Sequence, residues 1–268
     1  MTADLSVTSF AALHRPGEPL LLPNAWDHAS AAALAARGFP AIATSSLAVA
    51  AGVGLPDGAA ATREHTVRLA LTLGAGSYHL SVDAEDGFGD DPGEVARLAA
   101  ELWAAGAVGV NLEDGLGASG LLAAKIRAVK AAVPGMFVNA RTDTYWSGDG
   151  DEQDTLRRLD AYQQAGADGV FVPGLTDPAR IAALVRHLGA PLNLLHSPAG
   201  PTVDRLAELG VARISLGSLL YRRALGAALD AMTDIAAGRT PGGTTPSYDE
   251  VCALERSTSV SRPANSAG

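Results

Sequence analysis

The 268 residues are 47% hydrophobic but only 5% aromatic, so a large core must be assembled mainly from Ala, Leu and Val. A formal net charge of −9 excludes nucleic acid as a partner, because phosphate neutralisation needs a basic stripe, and it would repel an anionic membrane. The single cysteine, Cys252, excludes internal disulfides and cysteine-rich metal sites.

Met1 to Phe10 carries neither the basic start nor the long apolar run of a secretory leader. The most apolar stretch, Ala41 to Leu55, contains serines and glycines and is too short to span a bilayer. The expectation is a cytoplasmic protein with no membrane contact.

In chain order, the first strand is predicted at Leu20 to Leu22, with a helix over 28–37. Next come a strand ending at Thr44 and a helix over 63–74, then Leu80 to Val82 and a helix over 92–105. Val108 to Leu112 precedes a helix over 120–132, and Phe137 to Ala140 precedes one over 152–165. Val170 to Val172, Leu192 to Leu195 and Ile214 to Leu216 complete the strands, alternating with helices over 178–188, 202–209 and 218–236. A repeated grammar supports this reading: an Ala-rich helical pattern, a glycine (Gly38, Gly106, Gly166, Gly210), then a short apolar strand. Glycine suits the left-handed position that ends a helix, and a buried parallel strand can follow at once.

Eight β–α units predict an α/β fold, a (β/α)₈ TIM barrel, as a single domain over 1–254. A short helix is expected within Pro246 to Leu254, and 255–268, rich in Ser, Pro and Ala, is expected to be a flexible tail. The alternative, an open doubly wound sheet, usually carries a phosphate-binding glycine fingerprint after strand one. Here that position reads Leu22-Pro23-Asn24-Ala25-Trp26-Asp27.

Barrel active sites lie at the C-terminal ends of the strands. Strand one offers Asn24, Trp26 and Asp27 there, and strand two offers Thr44, Ser45 and Ser46, followed by Asp57 in the next loop. Strand three ends in Asp83 and Glu85, strand four in Glu113, strand five in Asn139, Arg141 and Asp143, and strand seven in Asn193 and His196. Strand six ends in Val172-Pro173-Gly174, which reads as chemically silent. Alternation along a strand puts Asp83 and Glu85 on one face, and Asn111 and Glu113 on one face. Neighbouring strands would then converge Asp83, Glu85 and Glu113 on one point, an oxygen-only site suited to Mg²⁺, with Mn²⁺ as the alternative. Other acidic residues have plainer duties: Asp27 and Asp91 read as helix N-caps, and Asp86 and Asp114 should point away from the site. His196 alone reads as a loop or satisfied core histidine rather than a base.

Taken in order, these motifs resemble the isocitrate lyase/phosphoenolpyruvate mutase superfamily from about residue 10 to 240. The resemblance is carried by Pro23-Asn24-Ala25-Trp26-Asp27, Thr44-Ser45-Ser46-Leu47, Gly54-Leu55-Pro56-Asp57 and Val82-Asp83-Ala84-Glu85-Asp86-Gly87-Phe88-Gly89. Val110-Asn111-Leu112-Glu113-Asp114-Gly115 and Asn139-Ala140-Arg141-Thr142-Asp143 continue it. It implies that Asp83 is the most direct protein contact to Mg²⁺, with Glu85 and Glu113 acting mainly through bound water. It implies that Ser45, Ser46 and Leu47 hold a substrate carboxylate, that Arg141 contacts the oxo-acid, and that Asp57 sits beside the bond being broken. Trp26, Asn24 and Asn193 complete the expected substrate-binding set. Members of the superfamily make or cleave a C–C or P–C bond next to C3 of a 2-oxo acid through an enolpyruvate-type species. They commonly form tetramers that exchange a C-terminal helix, a role the segment from Ser218 to Ala237 is long and apolar enough to fill.

The chain departs from the pattern in two places. The family's C–C lyases carry a Lys-Lys/Arg-Cys-Gly-His loop after the strand-four acidic pair; here it reads Gly115-Leu116-Gly117-Ala118-Ser119-Gly120. The family's mutases carry a Lys and an Asn in that loop and a His at the end of strand six, near Val172 here. The expected function is a phosphonomutase-like isomerase or lyase acting on a small anionic 2-oxo acid or enol phosphate, in a homo-oligomer. The alternatives are an oxaloacetate-type decarboxylase or C–C lyase without phosphorus chemistry, and a non-catalytic metabolite-binding barrel. A third is a sugar-phosphate barrel cradling phosphate at Leu216-Gly217-Ser218.

Overall fold

In the computed structural model, which describes residues 7–147 and 149–255, eight parallel strands form one sheet in the order β1-β8-β7-β6-β5-β4-β3-β2. The strands are β1 (Leu20–Leu22), β2 (Ala41–Ala43), β3 (His79–Asp83), β4 (Ala107–Glu113), β5 (Phe137–Arg141), β6 (Gly169–Phe171), β7 (Leu192–Leu195) and β8 (Arg213–Ser215). The ring closes just beyond the end of β1, where Ala25 N donates to Ala43 O at 2.7 Å and Ala43 N to Pro23 O at 2.8 Å. The predicted barrel is therefore the observed one.

The helices are α1 (Val7–Ala12), α2 (His28–Ala36), α3 (Ser46–Val53), α4 (Arg63–Leu73), α5 (Pro92–Ala104) and α6 (Ser119–Ala132). After them come α7 (Glu152–Gln164), α8 (Pro178–His187), α9 (Val203–Glu208), α10 (Leu219–Ala236) and α11 (Tyr248–Ala253). The caps follow the chemistry read from the chain. Asp27 accepts from Ser30 N in a capping box, and Asp91 accepts from Gly93 N with Pro92 opening α5. Gly106 and Gly166, which end two helix–glycine–strand units, have φ of 100° and 102°, conformations that a side chain would strain.

Two helices were not anticipated. α1 covers the bottom of the barrel, placing the fully buried Phe10 against the rings of His14, His79 and Phe137. α3 begins where a loop was expected, because Ser46-Leu47-Ala48-Val49-Ala50 is a sound helical run once Ser45 takes an extended N-cap conformation. The expected tail lies, from residue 256 on, outside the described residues.

The main core lies between the sheet and its helices and is built from Ala, Leu, Val and Ile, including Leu80, Val82, Leu98, Leu102, Ile126 and Val138. α10 stands apart: none of its residues is buried. Leu225, Leu229, Met232 and Ile235 present an exposed apolar row along it. Among the described residues no helix is long and apolar enough to cross a membrane.

Candidate active site

At the C-terminal rim of the barrel a cavity of about 110 Å³ is lined by Asn24, Ser45, Ser46, Leu47, Asp57, Asp83, Asn111 and Arg141. Its far wall is Trp146, Phe171, Pro173 and Leu195, and Ser215, Gly217 and Ser218 complete it. Strand register explains this convergence. Asp83 lies beside Asn111, Glu113 beside Arg141, and Arg141 beside Phe171.

The N-terminus of α3 faces the cavity. Ser46 N donates to Asp83 Oδ2 at 3.1 Å, which fixes that carboxylate against the helix start. The other N–H groups of the first turn have no intrahelical acceptor and favour an anion. Asp83 N takes a bond to Thr44 Oγ1 at 2.9 Å, and Asn24 Nδ2 donates to Thr44 O at 2.6 Å. The three strand ends are thereby laced together.

Arg141 is the cation of the site. Its Nη1 lies 2.7 Å from Glu113 Oε2 and its Nε 2.7 Å from Asp143 Oδ1. Trp146 and Phe171 flank its guanidinium, with ring centroids 6.0 and 5.9 Å away. Burial opposes its charge, but Glu113, Asp143 and Asp83 outweigh this and hold it above the ordinary arginine value. It remains cationic.

The carboxylates carry a surplus of negative charge. Burial pushes Glu113 up to about 8, against the pull of Arg141, and Asp83, Asp143 and Asp57 add to the rise. Asp57 is raised by partial enclosure and by Asp83, opposed by a hydrogen bond from Ser46. Glu85 is raised by burial and by Asp57 and Asp83, opposed by its bonds from Thr62 and Ala60. An oxygen-only donor set with this surplus fits a hard divalent cation.

The three predicted ligands are not, however, drawn into one cage. Among the described residues no group of three or more His, Cys, Asp or Glu side chains is arranged to hold a metal ion. The reason is local. Glu85 lies beyond the last residue of β3 with φ of 49°, so strand alternation no longer sets its direction. It turns to accept from Thr62 Oγ1 at 2.7 Å and Ala60 N at 3.1 Å. Glu113 is occupied by Arg141 and, with Glu85, lines a second cavity of about 280 Å³ under residues 115–118. Asp83 alone of the three lines the first cavity.

The predicted substrate-binding residues divide similarly. Asn24, Ser45, Ser46 and Leu47 line the cavity with Asp57 and Arg141. Asn193 does not; it is buried beneath the floor, donating from Nδ2 to Ser215 Oγ at 3.0 Å. Trp26 lines a neighbouring groove with Tyr221, whose ring it meets edge-on at 5.5 Å. His196 is not among the lining residues either, its backbone N–H being bound to Ser215 O. The end of β6 contributes no reactive group but shapes the cavity: Phe171 and Pro173 form part of the wall. Trp146, Phe171, Asn111 and Ser215 were missed because they resemble core or loop residues, although strand parity does place Asn111 on the face of Glu113. Asp114 does not line the first cavity; its side chain is enclosed and bound by Arg158 and Tyr162.

The phosphoenolpyruvate phosphomutase family model matches residues 10–236. The chain is 45% identical over 235 residues to an uncharacterized protein of Mycobacterium tuberculosis, covering 86% of this chain and 90% of that one. It is 31% identical over 229 residues to an oxaloacetate decarboxylase of Pseudomonas aeruginosa, covering 79% and 78%. A solved structure from Burkholderia cenocepacia J2315, described as a candidate lyase/mutase, superposes with a TM-score of 0.84 at 38% identity, covering 94% of each chain. The chain therefore belongs to the phosphoenolpyruvate phosphomutase family, within the isocitrate lyase/phosphoenolpyruvate mutase superfamily.

Proposed function

We propose that this protein is a Mg²⁺-dependent enzyme acting at C3 of a small 2-oxo acid through an enolpyruvate-type species. One observation carries the reading: Arg141, Asp83 and the N-terminus of α3 face one another across a single small cavity. A divalent cation held by Asp83, with Glu85 and Glu113 in support, would supply Lewis-acid stabilisation of the charge that develops on the oxo-acid oxygens. The remaining steps belong to the chain itself. The first-turn N–H groups of α3 and the hydroxyls of Ser45 and Ser46 hold the substrate carboxylate. Arg141 stabilises charge developing on the oxo-acid, in a position fixed by Glu113 and Asp143. Asp57, raised toward protonation, moves a proton at the bond that breaks or forms.

The wall favours C–C over P–C chemistry. A phosphoryl group calls for several fixed donors or cations, whereas Leu47, Trp146, Phe171, Pro173 and Leu195 are apolar and Arg141 is already paired with two carboxylates. Substrates whose C3 substituent is small and not phosphorylated fit this half of the cavity. The exposed row of α10 supports a homo-oligomer in which that helix packs on a second copy, measurable as a dimer or tetramer by light scattering.

NMR spectroscopy tests the reaction, with Mg²⁺ and with oxaloacetate, phosphonopyruvate and phosphoenolpyruvate offered separately. Pyruvate formed only from oxaloacetate, above the metal-only control, would support C–C chemistry. Migration of phosphorus between carbon and oxygen, or phosphate release, would transfer the assignment to P–C chemistry. Silence on all three, without oxalate binding, would overturn the oxo-acid reading.

A further inference from the structure

Arg213, on β8, has no part in the chemistry above, yet it is the largest fully buried side chain described. Its Nε donates to Ser215 Oγ at 3.2 Å and its Nη2 to Asn111 Oδ1 at 3.3 Å, while Nη1 is buried with no hydrogen-bond partner. No carboxylate among the described residues lies within ion-pair distance. An isolated buried cation is costly, and a well-packed apolar side chain would serve the core better. The two groups it does contact, Asn111 and Ser215, both line the active-site cavity.

The donor chemistry of arginine settles how Asn111 is turned. A guanidinium only donates, so the Asn111 amide atom facing it must be the carbonyl oxygen. Asn139 Nδ2 donates to the same oxygen at 2.9 Å. The NH₂ group of Asn111 is consequently turned away from both, with no acceptor among the described residues. It belongs to a residue that stands beside Asp83 in the sheet.

We propose that Arg213 is a positioning residue that locks the Asn111 amide with its NH₂ toward the cavity, where it donates to an oxygen of the bound oxo-acid. The assignment rests on the oxo-acid reading above for the ligand, but not for the orientation. An amide freed to rotate would bring its carbonyl oxygen against an anion, so the lock favours anionic ligands by excluding the repulsive orientation.

The test separates the two parts. In ¹⁵N-labelled protein the side-chain NH₂ signals of Asn111 are identified by their loss in Asn111→Leu. In Arg213→Met only Asn139, an amide that can itself turn over, still faces the Asn111 oxygen, so the signals are expected to shift and to divide between two orientations; signals unchanged in position and number would overturn the proposal. Calorimetric titration with oxalate and Mg²⁺ should show affinity at least tenfold weaker in Arg213→Met, with the melting temperature not lowered. Arg213→Lys, which retains the charge on a single donor nitrogen, should recover part of the loss. Undiminished affinity in Arg213→Met would overturn the role, as would a failure of that variant to fold, which would make Arg213 structural. If the wild-type protein takes up no oxalate, the oxo-acid reading falls, while the NH₂ signals still decide whether Arg213 sets the orientation.

Discussion

The hydroxyl of Tyr162 donates to Oδ2 of Asp114 at 2.7 Å, tying α7 to the loop that leaves β4. Arg158 Nη1 donates to the same oxygen at 3.1 Å and to Gly117 O at 2.8 Å. The short loop beside the site is thus clamped from beneath. Asp114→Ala leaves Arg158 and Tyr162 without their buried partner and should cost about 3–5 kcal/mol. Tyr162→Phe removes one bond while Arg158 still neutralises the carboxylate, and should cost about 1–2 kcal/mol. Urea unfolding checks this order, and equal losses would contradict the clamp.

Asp83→Ala is expected to abolish metal-dependent turnover, by about 100-fold or more, while the barrel stays folded. The backbone that shapes the site is held elsewhere, by Thr44 Oγ1 on Asp83 N. Circular dichroism and a turnover assay with and without Mg²⁺ check it together. Retained Mg²⁺-dependent turnover would sink the assignment of Asp83.

His14 gives the fold an acid sensitivity. Burial lowers its pKa from 6.5 to about 3, and the charge of Arg213 adds to the effect against bonds to Phe10 and Ala11. The ring stacks on Phe137 at 4.4 Å. In the folded protein it stays neutral, while the unfolded chain takes up a proton once the pH falls below 6.5. Its contribution to stability is therefore full above that pH and is lost as the pH falls from 6.5 toward 3, by about 1.4 kcal/mol per unit. His14→Phe should flatten this part of the stability–pH curve. Parallel curves for variant and wild type would exclude His14 as the source.

Two glycine substitutions should act in opposite directions. A Cβ on Gly74 would lie 1.7 Å from Ala105 O, where α4 and α5 end backbone to backbone. Gly74→Ala should therefore lose about 1–3 kcal/mol or more through overpacking. Gly52, inside α3, has nothing within 4 Å of the same position, and Gly52→Ala should gain about 0.5–1 kcal/mol. Thermal melts of the pair decide it.

Much of the architecture was legible because buried parallel strands and glycine-terminated helices leave strong local marks. The strand-end residues Asn24, Ser46, Asp83 and Arg141 followed from barrel geometry once the strands were counted. α3 was obscured by its serine start, which reads equally well as a loop. Glu85 defied parity because the chain had already left the strand at Asp83, and a single positive φ redirects a side chain without any mark in the sequence. Phe171 and Trp146 were invisible for another reason. An apolar cavity wall and an apolar core draw on the same residues, and only the third dimension distinguishes them. Arg213 shows the converse: a charged residue two places before Ser215 reads as surface, yet the sheet carries it inside.

The barrel is stitched shut beside its candidate active site. Ala25, Ala43 and Thr44 carry the bonds that join the first strand's end to the second, and Asn24 and Ser45, which line the cavity, are their immediate neighbours. A ligand gripping both sides of that seam becomes a latch, adding its own affinity to the work of keeping the ring closed. Slow exchange of the Ala25 and Ala43 amides would then report occupancy as faithfully as any assay.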